Sequence, residues 1–232
     1  MTLPVSYRIM NEMTEGTDCA MKHIIWDFNG TLLSDAQLGV DCDNYVFDVL
    51  GLPGITIDDY RAHMTMPVRD FYTALGVDLN VHKYETISRL WLDRFNVHAV
   101  SVGLVPGALE RIARLKEMGF TQSILSASYE KSLLEQCEAL GLTAYMQEIS
   151  GLGDESAQKK TDIGRAQIAR LGLRGEDCVL VGDMVADSDL ADVLGTDCIL
   201  VPWGHNSESR LEKTGRRVAR SFDELEEMLT QL

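Results

Sequence analysis

Four places in this chain hold residue types that do chemistry when they meet. Asp27 closes the apolar run His23-Ile24-Ile25-Trp26 and is followed by Phe28-Asn29-Gly30-Thr31. An acid ending a buried strand is costly unless a partner or a cation offsets it. Ser126 follows the run Thr121-Gln122-Ser123-Ile124-Leu125, and Asp183 follows Cys178-Val179-Leu180-Val181-Gly182, with Asp187 one helical turn further on. Lys160 stands just ahead of a helical pattern, with Lys159 beside it as a rival. Carboxylates hold hard cations or attack electrophiles, whereas a lysine and a hydroxyl hold anionic oxygens.

The elements that must position these groups are short apolar runs separated by helical patterns. The strands are expected at His23 to Asp27, Thr121 to Leu125, Tyr145 to Ser150, Cys178 to Val181 and Cys198 to Val201. Unbroken apolar runs of this length mark strands covered on both faces. Between and after them, helices are expected at Ala108 to Met118, Tyr129 to Leu140, Asp162 to Leu171, Asp187 to Leu194 and Asp223 to Leu232. Alternation of this kind predicts an α/β fold, a Rossmann-like parallel sheet with helices on both faces. Ligands of such sheets bind at the carboxyl ends of the strands, where Asp27, Ser126 and Asp183 fall. The alternation breaks between Asp35 and about Ser101. Helical patterns there, Gln37 to Leu50, Val68 to Leu75 and Tyr84 to Phe95, predict a small helical insert after the first strand. The expected organisation is a core of residues 21–34 and 102–232, a helical cap domain of 35–101, and a loosely ordered leader of 1–20.

In order and spacing the four groups resemble the motifs of the haloacid-dehalogenase-like superfamily. Asp27-Phe28-Asn29-Gly30-Thr31 resembles the first motif, usually Asp-x-Asp-Gly-Thr. Ile124-Leu125-Ser126-Ala127-Ser128 resembles the second, a strand ending in Ser or Thr, with Ser128 as a rival to Ser126. Lys160 resembles the third, and Gly182-Asp183-Met184-Val185-Ala186-Asp187 the fourth, Gly-Asp-x-x-x-Asp. The resemblance implies a phosphatase acting through an aspartyl-phosphate on Asp27. It implies magnesium held by Asp27, Asp183 and the backbone carbonyl of Asn29, with Asp187 binding through water or orienting Lys160. Lys160 and Ser126 would hold phosphoryl oxygens, and Gly30, Thr31 and Ala127 would border them.

One position departs from the pattern: Asn29 stands where the family's phosphatases carry a second acid, which protonates the leaving group and then activates water. An amide does neither at neutral pH, and general acid–base catalysis is worth about 10² to 10⁴ in rate. Three explanations remain open. Another group supplies the proton, with His63 and Asp35 as candidates. The leaving group is good enough to need none, as in acyl phosphates. Or the chain is a weak catalyst that binds a phosphorylated ligand or a partner. Action on another bond is a lesser alternative: a cap lysine serves the family's phosphonate hydrolases, and Lys83 is the only lysine of this insert.

The insert's position resembles that of the cap in phosphoglycolate-phosphatase-like enzymes, which implies a small phosphorylated metabolite as substrate. The stretch His63-Met64-Thr65-Met66-Pro67-Val68-Arg69-Asp70 is expected to face the site, with Arg69 or Arg61 meeting a substrate carboxylate or second phosphate. Trp203 and His205, after the last apolar strand, read equally as rim residues of the site and as parts of an ordinary turn.

Composition narrows the partners. With 36 acidic against 21 basic residues the formal charge is -15, which opposes nucleic-acid binding. No apolar stretch is long enough to span a membrane, and the N-terminus lacks the apolar run of a signal peptide. The five cysteines, Cys19, Cys42, Cys137, Cys178 and Cys198, have no metal-ligand spacing and read as free thiols in the cytoplasm. A response-regulator-like receiver would need an early pair of acids, and a dinucleotide fold a glycine-rich first turn. Neither is present.

Overall fold

The computed structural model describes residues 22–153 and 159–232. At its centre, β1 (His23–Trp26) is buried at every position, and its alternate side chains enter two different cores. Ile24 and Trp26 join Val179, Val181 and Ile199 against one layer of helices; Ile25 joins Leu180, Cys198 and Leu200 against the other. That is the period-two alternation of a strand with both faces covered.

The remaining strands are β2 (Gln122–Tyr129), β3 (Glu148–Leu152), β4 (Cys178–Gly182), β5 (Asp197–Leu200) and the short β6 (Arg217–Val218). They form one sheet in the order β3-β2-β1-β4-β5-β6, with every pairing parallel. The order reverses at β1, so its carboxyl end opens onto a crevice between diverging connections.

Helices α5 (Ala108–Glu117), α6 (Glu130–Ala139) and α10 (Phe222–Thr230) cover the first face through Ile112, Leu115, Leu133 and Leu225. The other face is covered by α7 (Lys160–Arg170), α8 (Val185–Leu194) and α9 (Glu208–Glu212) through Ile163, Leu190, Leu194 and Leu211.

Between β1 and α5 lie four α-helices: α1 (Ala36–Leu50), α2 (Ile57–His63), α3 (Val68–Ala74) and α4 (Tyr84–His98). They carry an apolar cluster of their own, built on Val40, Val46, Phe47, Tyr60, Phe71, Tyr72 and Ile87. No helix among the described residues is long and apolar enough to cross a membrane.

The structure departs from the expected elements at β2, β3 and α2, and it adds two short elements that were not expected, α9 and β6. Strand β2 does not stop at Leu125 but runs on to Tyr129, because pairing with β3 resumes at Tyr129 opposite Leu152 after an irregularity. Strand β3 starts at Glu148, since Thr143–Tyr145 is a short 3-10 turn whose Tyr145 packs on the core. Helix α2 was not expected. Its signal is local: Thr56 accepts from Asp59 N at 3.1 Å while Asp59 accepts from Thr56 N at 3.0 Å, a capping box. The expected leader, with Cys19, lies outside the described residues.

Candidate active site

Asp27 leaves β1 at the sheet's crevice, its backbone N–H donating to Val181 O at 2.8 Å, which ties the loop to β4. Lys160, the first residue of α7, donates to Asp27 Oδ1 at 2.5 Å and to Asp187 Oδ1 at 2.9 Å. Lys159 is exposed at the preceding position, so the lysine that reaches the carboxylates is Lys160. Asp27, Asp183 and Asp187 are all buried and each offers an oxygen within 4.8 Å of the others.

These acids are held by local geometry. Asp183 accepts from Thr31 Oγ1 at 2.8 Å on Oδ1 and from the backbone N–H of His205 at 2.6 Å on Oδ2. Asp187 Oδ2 accepts from Met184 N at 3.0 Å and so caps the start of α8. Backbone passes close to Asp183 at two glycines. Gly30 has φ +74°, and a Cβ there would lie 2.4 Å from Asp183 Oδ2; at Gly204 it would lie 2.1 Å away. Neither position accepts a side chain without displacing the carboxylate.

Burial shifts the protons of two of these acids. Burial pushes Asp27 up to about 7; Lys160 opposes it, and the charges of Asp187 and Asp183 add to it. Burial likewise lifts Asp183 to about 6. Burial acts against the Lys160 ammonium, but the charges of Asp187 and Asp27 hold it above its usual range. An all-oxygen set of carboxylates that repel one another is a donor set suited to a hard divalent cation.

Asn29 sits in a second, polar cluster. Its Nδ2 donates to Asp35 Oδ2 at 2.7 Å, and its Oδ1 accepts from Ser128 Oγ at 2.7 Å, with Ser126 Oγ at 3.5 Å. Asp35 Oδ1 takes the Gly30 N–H at 2.7 Å and lies 3.4 Å from His205 Nε2. The other ring nitrogen of His205 pairs with Tyr60 Oη at 3.0 Å. Burial works against charge at both members of the Asp35–His205 pair, but the pairing wins. Asp35 is held below its usual value, and the His205 imidazole is lifted to about 9. The chain Tyr60–His205–Asp35–Asn29–Ser128 thus connects α2 to β2 through the loop after β1.

The same loop after β5 clamps α2. Arg61 donates to Gly204 O and Trp203 O at 2.8 Å each, while Arg210 and Asn206 donate to Met64 O at 2.5 and 2.8 Å. Met184, between the two acids of the fourth motif, packs on the cluster of the inserted helices.

Asp27, Lys160, Asp183 and Asp187 come together, and Ser126 and Ser128 converge on Asn29. Ser126 lies within β2 rather than at its end. Ala127 is exposed between the two serines. Arg69 is exposed on α3, its guanidinium 5.7 Å from the Tyr84 ring, and Arg61 spends its guanidinium on backbone carbonyls. His63 is exposed and bonds the Asp59 carbonyl of its own helix, whereas Asp35 is at the site. Sequence reading misses Tyr60 and Asn206, and it leaves His205 open between a rim residue and part of an ordinary turn. The signal that names His205 is its place in Pro202-Trp203-Gly204-His205-Asn206, after the carboxyl end of a core strand.

A family profile described as haloacid dehalogenase-like hydrolase matches residues 24–201. The chain is 28% identical over 211 residues to a phosphoglycolate phosphatase of Mesorhizobium japonicum, covering 87% of this chain and 92% of that protein. It is 26% identical over 211 residues to the tyrosine-protein kinase PtkA of Mycobacterium tuberculosis, covering 89% of this chain and 72% of that one. Among solved structures, a haloacid dehalogenase-like family hydrolase from Streptococcus pneumoniae superposes with a TM-score of 0.77 at 18% identity, covering 90% of this chain and 98% of that one.

Proposed function

The chain belongs to the haloacid dehalogenase-like hydrolases, and from that premise we propose that it is a magnesium-dependent phosphatase acting on a small phosphorylated metabolite. The observation that carries this reading is Asp27, joined to Lys160 and within 4.8 Å of the Asp183 and Asp187 oxygens. In this reading Asp27 attacks phosphorus and becomes an aspartyl-phosphate, splitting one displacement into two. Asp27, Asp183 and the Asn29 carbonyl would hold the magnesium, with Asp187 in support, and the ion would offset the charge between an anionic nucleophile and an anionic substrate. Lys160 spans Asp27 and Asp187, where its ammonium meets a phosphoryl oxygen as negative charge builds up. Ser126 adds a hydroxyl, and Thr31 keeps Asp183 in place.

Residues 35–101 are read as a cap over a core of 21–34 and 102–232, supported by the separate apolar cluster of the inserted helices. The four described cysteines are free and buried, in keeping with a cytoplasmic setting.

A weakly catalytic, phosphate-binding role is the second reading, favoured by the amide at Asn29. Phosphate release from a panel of phosphoesters and acyl phosphates separates the two, with magnesium or chelator, for wild type and Asp27→Asn. The phosphatase reading expects magnesium-dependent release that drops at least about 10³-fold in the variant. Release no greater than the variant's on every substrate points to the binding role.

A further inference from the structure

We infer that the leaving group departs from this site as an unprotonated anion, so that the substrates turned over are acyl phosphates, mixed carboxylic–phosphoric anhydrides, rather than alkyl phosphate esters. The inference rests on the phosphatase reading and names its substrate class.

The argument is an inventory of protons. Asp35 and Asn29 form a pair with only one chemical sense: Asp35 Oδ2 lies 2.7 Å from the amide nitrogen, so Asn29 Oδ1 must face the serines. The amide therefore presents an acceptor oxygen toward Ser126 and Ser128. Asp35 itself is 2% exposed and takes donors on both oxygens, from Asn29, Gly30 and His205. It sits behind Asn29 as an acceptor, with no proton to hand on.

His205 is further back, with one ring nitrogen on Asp35 and the other on Tyr60. The other histidines are placed elsewhere. His23 bonds Thr121 and Ser123 at the amino end of β1, and His63 bonds the Asp59 carbonyl. His82 lies in the turn before α4, and His98 ends that helix. Lys160 donates to Asp27 and Asp187, and in the proposed mechanism its remaining donor serves a phosphoryl oxygen rather than the leaving group. Asp183 and Asp187, the carboxylates beside Asp27, are committed in this reading to the cation and to Lys160; among the described residues no free imidazole and no further carboxylic acid is thus held beside Asp27 to protonate a departing oxygen.

The leaving group must carry that deficit. An alkoxide is nearly as basic as hydroxide, whose parent water has a pKa of about 15.7. A carboxylate is the base of an acid near 4 to 5, roughly the range of Asp and Glu side chains. In the first step an Asp27 carboxylate oxygen bonds to phosphorus. The bond from phosphorus to the acyl oxygen breaks with its electron pair, and the product leaves as a carboxylate without taking a proton. In the second step water attacks phosphorus, the bond from Asp27 oxygen to phosphorus breaks, and Asp27 regains its carboxylate. Both protons of the water leave with the phosphate.

The test is a leaving-group series measured as kcat/KM with magnesium: acetyl phosphate, p-nitrophenyl phosphate, phenyl phosphate and 2-phosphoglycolate, the last an alkyl ester. The expected wild-type result is a steep fall with leaving-group basicity, acetyl phosphate exceeding phosphoglycolate by about 10³-fold or more, since a general acid is worth about 10² to 10⁴. In Asn29→Asp the ratio of alkyl to acyl turnover should rise at least about 10²-fold on the same basis. Because an aspartate at position 29 would face Asp35, the double variant Asn29→Asp/Asp35→Asn, which exchanges the pair and keeps its hydrogen bond, is measured beside it. Equal turnover of acetyl phosphate and phosphoglycolate by the wild type would overturn the inference and leave the phosphatase reading standing. No Asp27-dependent release from any of the four would overturn both.

Discussion

On α1, Asp43 is 1% exposed, accepts from Tyr72 Oη at 2.7 Å and has no partner for Oδ2 among the described residues. Burial lifts its carboxyl to about 7, against the hydrogen bond from Tyr72. A carboxyl whose folded value lies above its unfolded value contributes stability below the unfolded value, and loses it as pH rises through the folded one. The window here runs from about 4 to about 7, with a limiting slope of about 1.4 kcal/mol per pH unit. Asp27 and Asp183 shift the same way in the same window, so the informative quantity is a difference. Urea unfolding of wild type and Asp43→Asn across pH 4 to 8 should show a shallower decline in the variant. Parallel curves would mean that Asp43 titrates in the fold as it does in the unfolded chain.

At the scale of elements, α2 is attached to the core less by apolar packing than by polar contacts with the loop after β5. Arg61 supplies two of these bonds, to carbonyls that also shape the approach of Gly204 to Asp183. A charge-assisted hydrogen bond contributes about 1.5 to 3 kcal/mol, and a buried carbonyl left unpaired costs about 1 to 3 kcal/mol. Arg61→Ala is therefore expected to lower unfolding stability by about 2 kcal/mol, in the range of a typical buried polar truncation. It should also raise the magnesium concentration needed for half-maximal activity, because the Gly204 backbone is freed to shift against Asp183. A stability loss with unchanged magnesium response would confine Arg61 to holding α2.

At the scale of the whole molecule, a chain of net charge -15 buries three carboxylates within 4.8 Å of one another. Their repulsion opposes folding, and a cation bound only by the folded state reverses it. Binding at a hundred times Kd stabilises by about 2.7 kcal/mol, which for a domain of this size raises Tm by roughly 5 to 10 °C. Differential scanning calorimetry at constant ionic strength should show that rise with magnesium for wild type and little of it for Asp183→Asn. An equal rise in both would reduce the effect to general screening of an acidic surface.

What the sequence alone determined about this protein is whatever local rules encode. Runs of apolar residues between amphipathic helices specify a parallel sheet covered on both faces, and the structure has it. An acid ending β1, a lysine opening a helix and a Gly-Asp turn after β4 mark Asp27, Lys160 and Asp183 through their neighbours in sequence. Only the tertiary structure decided which lysine reaches Asp27, that β2 carries Ser126 within the strand, and what surrounds Asn29. The last depends on pairings such as Tyr60 with His205, which lie 145 residues apart. A hydrogen bond between distant side chains leaves no period and no composition bias in the chain. It exists only once parallel strands have brought their carboxyl ends, and the loops that follow them, to one edge of the sheet.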